Sequence, residues 1–276
     1  MTGLDVSIPL VMLFQASALI IRSFVDVNMV EAGIDAAAAR HLSALIGFAV
    51  LFIFMWPLMN KAWPAIRQLF RRPESWSRMV LASVMLGFVL WLSQMLVLVA
   101  IAPLQWIGDG PYKWPTAPIF EVACSNPANL LLALPVMSML TPLVEEIINR
   151  GLFLGTLLPR GRLIAIMGSA LLFTVFHVPG GMASAFIFGI FAAIQMLHYR
   201  TLWAVVITHG TGNLFVEIHR NCVDGYWLPG HIPWEPGSPA LLIALLTPAC
   251  IFIAWRLATC SKAGAADFRC CPGIRR

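Results

Sequence analysis

Charge is what this chain has least of. Of 276 residues, 18 are Lys or Arg and 13 are Asp or Glu, so 11% are charged, against about 25% in ordinary globular proteins. That scarcity excludes a water-soluble enzyme or a string of soluble domains. The net charge of +5 is accordingly read as loops facing anionic lipid, not as a nucleic-acid footprint. No Lys or Arg precedes Arg22, and without a basic n-region no secretory signal is expected. The six cysteines form no metal motif. HExxH, GxSxG and a Ser-His-Asp pattern are all missing, which removes the common zinc and serine hydrolase layouts. There is also no internal repeat and no low-complexity tract.

What is present instead is apolar sequence: 59% of residues are hydrophobic and the mean hydropathy is +0.82. Runs of about 17–25 apolar residues read as membrane spans. They are expected near 7–25, 42–59, 79–102, 129–158, 163–177, 181–198, 202–216 and 240–258. The fold class is therefore all-α, a polytopic membrane bundle of about eight transmembrane helices, forming one domain over 1–276. The fourth run contains Pro135 and Pro142 and is expected to kink.

Basic residues set the orientation. Thirteen of the 18 Lys and Arg fall in the connections 60–78, 159–162 and around Arg200 and in the C-terminal tail, while the opposite loops hold Arg22, Arg40, Lys113 and Arg220. The positive-inside rule then puts both termini in the cytoplasm. The 60–78 connection mixes Trp63, Ile66, Leu69, Phe70 and Trp76 with its bases, as either a surface helix or a basic loop would. Cys124 and Cys222 fall in outer-side loops, where oxidation would join them. Cys270 and Cys271 near a basic terminus suit lipidation or a free tail.

The residues that carry chemistry sit inside the apolar runs. Glu145 and Glu146 are adjacent, with Arg150 four residues beyond Glu146. A charge at bilayer depth costs roughly 2.5–3.5 kcal/mol on insertion scales, so such groups mark function by default. At a 1.5 Å rise per residue, Glu145 and His177 both lie about 20 Å from the cytoplasmic edge, and His209 and Asn213 about 10 and 16 Å. His209 and Asn213 are four apart and share a helix face. Glu146 and Arg150 have the same spacing and are expected to pair, which leaves Glu145, turned about 100° away, to face a cavity. Gly151 and Gly155 form a GxxxG that permits close helix approach. Pro179, Gly180 and Gly181 break the chain after His177, and Gly210 and Gly212 are expected to loosen the helix beside His209. A carboxylate and an imidazole at one level can activate a water. His209 and Asn213 offer the donors that an oxyanion needs.

These motifs carry a resemblance. Glu145-Glu146-Ile147-Ile148-Asn149-Arg150 matches EExxxR, Phe173-Thr174-Val175-Phe176-His177 matches FxxxH, and His209-Gly210-Thr211-Gly212-Asn213 matches HxxxN. In this order, on consecutive helices, they resemble the CAAX protease and bacteriocin-processing (CPBP) family of intramembrane proteases, over a motif core of about 129–216. The resemblance implies a water-filled intramembrane cavity open to the cytoplasm, in a multi-pass protein of a prokaryotic plasma membrane. It implies that Glu145 and His177 activate the water, that His209 and Asn213 stabilise the tetrahedral intermediate, and that Glu146 and Arg150 support them. The expected partner is a membrane-associated protein or peptide substrate within the lipid bilayer: a CaaX-like, sorting-signal or peptide-maturation type. The favoured mechanism requires no cofactor. A zinc ion on Glu145, His177 and His209 is the alternative, since three protein ligands plus water is a catalytic pattern. Two rival functions remain open at this point: a proton-coupled transporter using buried Glu and His, and a non-catalytic immunity or partner protein on the same fold.

Overall fold

A computed structural model of the chain describes residues 6–101, 121–122, 127–177 and 182–224. Apart from one two-residue ladder, the described elements are helices. They are α1 (Ile8–Glu31), α2 (Ala36–Leu69), α3 (Trp76–Ile101), a composite α4 (127–160), α5 (Arg162–Val175), α6 (Met182–Tyr199) and α7 (Leu202–Cys222). Three of them are long and apolar enough to cross a membrane: Ile8–Glu31, Ala36–Leu69 and Asn129–Arg160. The described part is thus helical apart from that ladder, and its long apolar helices mark an integral membrane protein. The sequence expectation of a span at 240–258 lies outside the described residues, as do Pro179, Gly180, Gly181 and the cysteines other than Cys222.

Helix ends depart from the apolar runs where local chemistry intervenes. α1 continues to Glu31 and stops at Gly33, whose φ of +85° only glycine adopts easily. The amides of Gly33 and Ile34 close that end on the carbonyls of Val30 and Met29, each at 3.0 Å. Arg22 therefore lies within a helix, and so does Arg40, in α2. This corrects their placement in an outer loop. Asp35 caps α2, accepting from the amides of Ala37 and Ala38 at 3.0 Å. From there α2 runs unbroken past Pro57 and Pro64 to Leu69. Its last turns are helix and not a loop, with Ile66 and Leu69 buried against α4 and Trp63 exposed.

The short connections confirm one grouping of basic segments. Arg71 Nε donates to the Arg200 carbonyl at 3.1 Å, the Thr201 hydroxyl donates to the Arg71 carbonyl at 2.9 Å, and Trp203 Nε1 donates to the Phe70 carbonyl at 3.1 Å. The α2–α3 and α6–α7 turns therefore meet on one side. At the other end, Glu121 pairs with Asp224 and Val122 with Val223 in an antiparallel ladder. Cys222 beside it is disulfide-bonded; Cys124, its expected partner, lies outside the described residues. α7 reaches Cys222, so Glu217 and His219 stand on the helix and not in a loop.

α7 is the axis of the bundle. It packs on α3, on α6 and on several segments of α4. The α3 contact depends on Gly87: a Cβ there would meet the Thr208 carbonyl at 2.4 Å. A buried polar network fixes the same crossing. Gln195 Nε2 donates to Ser83 Oγ at 3.0 Å, and the Thr208 hydroxyl lies 3.0 Å from Gln195 Oε1 and 3.2 Å from the Ser83 carbonyl. The network joins α3, α6 and α7 one residue before His209. Satisfied polar groups of this kind hold helices in register where lipid supplies no hydrophobic drive.

Candidate active site

The two acids lie in a helix that is not uniformly α. α4 is π-helical over Val136–Leu140 and again over Ile147–Phe153, with the α-helical turn Thr141–Glu146 between. Pro142 is the local reason for the first widening. It has no N–H to offer the Ser138 carbonyl, so the regular ladder fails there. Thr141 answers by bonding five residues back, its amide and its hydroxyl both on the Val136 carbonyl, the latter at 2.9 Å. The next carbonyls are met by α7. Asn213 Nδ2 donates to the Met137 carbonyl at 2.8 Å, and the Ser138 carbonyl lies against Gly210, 2.4 Å from where a Cβ would stand. In the second widening, Asn149 Nδ2 donates to the Glu145 carbonyl at 2.7 Å. Short π segments recur at functional sites because they re-aim the side chains they carry.

The acids are divided between two environments. Glu146 is fully buried and lies between two cations or potential cations: Arg150 Nε is 3.0 Å from its Oε2, and His209 Nδ1 is 2.8 Å from its Oε1. The Arg150 contact is an ion pair without a well-aimed hydrogen bond, since neither atom has a bond of good geometry. Arg150 is itself fully buried. Its Nη2 donates to the Gly189 carbonyl at 3.3 Å, and its guanidinium carbon stands 4.7 Å and 5.4 Å from the ring centres of Phe173 and Phe188. Aromatic faces thus complete a shell that hydrogen bonds leave open. Glu145, by contrast, has a side chain 28% exposed, and its Oε2 is 3.8 Å from His209 Nε2.

Every expected site residue within these helices can be placed. Glu145, Glu146, Arg150 and His209 form one connected group. Asn213 lies one turn beyond His209 on α7 and is anchored to α4. His177 stands just past the end of α5. Its Nδ1 is 2.9 Å from the Phe173 carbonyl, so Nδ1 is the donor there and Nε2 is the nitrogen left for other partners. The Phe173 ring touches both imidazoles, with centres 4.5 Å from His177 and 5.8 Å from His209. Among the described residues no three His, Cys, Asp or Glu side chains gather as one metal ion would require. Glu145, His177 and His209 as placed do not form such a set.

Some of the glycine expectations reverse. α7 is continuous through Gly210 and Gly212, so those glycines do not loosen it; Gly210 admits the Ser138 carbonyl. Of the GxxxG pair, Gly151 meets only a Leu69 methyl of α2 at 3.8 Å, an ordinary contact, and Gly155 is buried. A close helix approach also occurs at Gly189, where a Cβ would stand 2.9 Å from Ala170 Cα on α5. Sequence reasoning also missed Asn149, Gly189 and Phe188. Asn149 carried a usable signal, because an amide inside an apolar helix must find a carbonyl.

Residues 127–215 match the family model of the type II CAAX prenyl endopeptidases, described as Rce1-like. The match covers about a third of the chain and contains all six residues discussed above. The matched family is a family of proteases. No curated protein and no solved structure matches the chain.

Proposed function

We propose that the segment matching the CAAX prenyl endopeptidase model is the catalytic core of an intramembrane endopeptidase that hydrolyses a peptide bond in a membrane-associated substrate. One observation carries the reading: of two adjacent acids, Glu146 is sealed between Arg150 and His209, while Glu145 stays partly open beside the same imidazole. A structural ion pair accounts for Glu146 and Arg150 but leaves the second acid and the histidine without a purpose.

In this mechanism Glu145 takes a proton from a water, and the His177 Nε2 lone pair accepts the water's other hydrogen bond. The water oxygen bonds to the carbonyl carbon, and the carbonyl oxygen becomes an oxyanion. His209 answers that charge from Nε2. Asn213 keeps one amide hydrogen for the same oxygen after giving the other to Met137. The C–N bond then breaks as Glu145 returns its proton to the leaving amine, giving a carboxyl product and an amine product. The residues themselves carry the chemistry. Loss of activity in a chelator and its return with zinc would count against this form of the mechanism.

The same reading places about eight spans in a prokaryotic plasma membrane with both termini cytoplasmic, and a water-filled cavity opening to that side. The test uses the full chain in detergent with a lipidated CaaX-type reporter peptide. Glu145→Ala and His177→Ala are each expected to lower the rate by about 10²–10⁴-fold, the usual worth of an acid–base group. Equal cleavage by wild type and both variants would overturn the reading.

A further inference from the structure

Gln195 of α6 is wholly buried between apolar neighbours and has no part in the steps above. Ser83 of α3 and Thr208 of α7 are buried with it. The hydrogen count of the three has one complete solution. The Thr208 hydroxyl owns a single hydrogen and has three acceptors in reach: the Ala204 carbonyl at 3.0 Å, the Ser83 carbonyl at 3.2 Å and Gln195 Oε1 at 3.0 Å. A threonine inside a helix ordinarily gives that hydrogen to the carbonyl four residues back. Both carbonyls here belong to helical ladders, which bring each an amide. Gln195 Oε1 has no such supply, so the hydrogen is satisfied best there. Gln195 Nε2 in turn donates to Ser83 Oγ at 3.0 Å. The side-chain amide therefore bridges α7 to α3 through both its ends.

The bridge is joined to the acid–imidazole group by short, stiff links. Thr208 precedes His209, and consecutive helical positions point about 100° apart. α7 thus turns Thr208 and Thr211 to α3, where a Cβ at Gly87 would stand 2.4 Å from the Thr208 carbonyl and 2.8 Å from Thr211 Cβ. It turns His209, Gly210 and Asn213 to α4. α6 reaches the same place. Phe188 lies two turns before Gln195 on one helix face, and its ring centre is 4.7 Å from that of His209. The Gly189 carbonyl beside it accepts from Arg150. One amide consequently sets how α7 is rotated and how α6 lies along it. An apolar side chain of equal volume would fill the space without fixing either, since lipid supplies no hydrophobic drive between helices.

We propose that Gln195 is a positioning residue for the hydrolysis. By bridging Ser83 and Thr208 it holds the rotation of α7 that aims His209 Nε2 and the Asn213 amide at the carbonyl oxygen of the scissile bond. Gln195 touches neither substrate nor water and acts through α7. Ser83 is then the contribution of α3, outside the segment that matches the protease family. The proposal rests on the hydrolytic reading of the site, and its test separates the two.

The full chain in detergent is given the lipidated reporter peptide, with kcat and KM measured well below the melting temperature of each variant. Gln195→Leu and Thr208→Val are each expected to lower kcat about 10–100-fold, since a misplacement of about 1 Å costs on the order of 10²-fold, with KM within about twofold of wild type. Each single variant strands a polar partner. The triple variant Ser83→Ala, Gln195→Leu, Thr208→Val removes the partners together, so its melting temperature is expected to rise above those of the single variants. Its kcat is expected to stay at their level, because the bridge is still missing. A glutamine that served stability alone would let kcat recover in the triple variant, and that variant also supplies the answer if a single one does not fold. Wild-type kcat in folded Gln195→Leu, or in the triple variant, overturns the proposal. A wild type that leaves the peptide uncut overturns the hydrolytic reading, and the proposal with it.

Discussion

Nδ1 of His209 lies 2.8 Å from Oε1 of Glu146, joining α7 to the buried ion pair of α4 across 63 residues of chain. Glu146 already faces a guanidinium, so it is the acceptor in this contact and Nδ1 carries the proton. Nε2 is then the nitrogen presented to the site, 3.8 Å from Glu145. If His209 is to donate from Nε2 to an oxyanion, the ring must be an imidazolium, and Glu146 is the group that stabilises it. Glu146 thereby acts on the reaction through His209 without touching substrate.

Glu146→Gln is therefore expected to lower kcat by about 10²–10³, the cost of losing an oxyanion donor, with KM little changed. Both Glu146→Gln and Glu146→Ala should also destabilise the protein by about 3–5 kcal/mol, because each leaves Arg150 a buried unpaired charge, while glutamine keeps an oxygen that can accept from His209 Nδ1. Steady-state kinetics and thermal unfolding in detergent separate the two effects. A Glu146→Gln enzyme with normal kcat would remove Glu146 from the mechanism.

Two glycines of the HGTGN segment should respond differently. A Cβ at Gly210 would stand 2.4 Å from the Ser138 carbonyl, whereas at Gly212 the nearest atom is the Gly87 carbonyl at 3.8 Å. Gly210→Ala must push α7 from the π segment of α4, carrying His209 and Asn213 with it. It is expected to destabilise by about 1–3 kcal/mol, as overpacking does, and to lower activity. Gly212→Ala should leave both within about 0.5 kcal/mol of wild type or improve stability slightly, since alanine favours helix. Equal melting points for the two variants would contradict the close approach.

The contrast shows what the sequence could reveal. The Glu146–Arg150 pair was readable from a spacing of four, because one helix turn is a local property. The His209–Glu146 contact was not, because no spacing encodes which face of α7 meets which turn of α4. Pro142 signalled a disturbance, but its form as a π segment depends on Thr141 supplying one bond and Asn213 another. The glycines of α7 misled for a related reason: a bare Cα either frees a helix or admits a neighbour, and only the neighbour decides. Arg22 was counted among the outer-loop bases, whereas α1 runs past it and ends only where Gly33 stops it.

Asn149 offers a separate check on how the acids are held. Its amide donates to the Glu145 carbonyl at 2.7 Å, in the second widened turn. Asn149→Leu removes that bond and should cost about 0.5–1.5 kcal/mol. Because the loosened turn carries Glu145, kcat should fall more than KM rises. The measurement is a melting curve paired with kinetics on the reporter peptide, and a variant of wild-type stability would show the bond to be dispensable.

The start of α2 gives a pH-dependent prediction away from the membrane core. Asp35 accepts from the amides of Ala38 and Ala37 and from Asn129 Nδ2 at 2.8 Å. The Ala38 bond first, and then the Asn129 bond, hold its carboxyl below the ordinary carboxylate range. The folded state therefore binds this proton less readily than the unfolded chain. Stability from Asp35 is complete above the usual aspartate value, near pH 4, and is lost as pH falls through the lowered folded value. Asparagine also caps helices well, so Asp35→Asn should keep most of the neutral-pH stability while abolishing this acid-side loss. Melting temperatures of wild type and Asp35→Asn, measured from neutral pH into the acid, should lie close together at neutrality and converge further or cross as the acid limb is entered. A gap that widened on acidification, with wild type ahead, would have the opposite sign and would place Asp35's contribution outside its ionised cap.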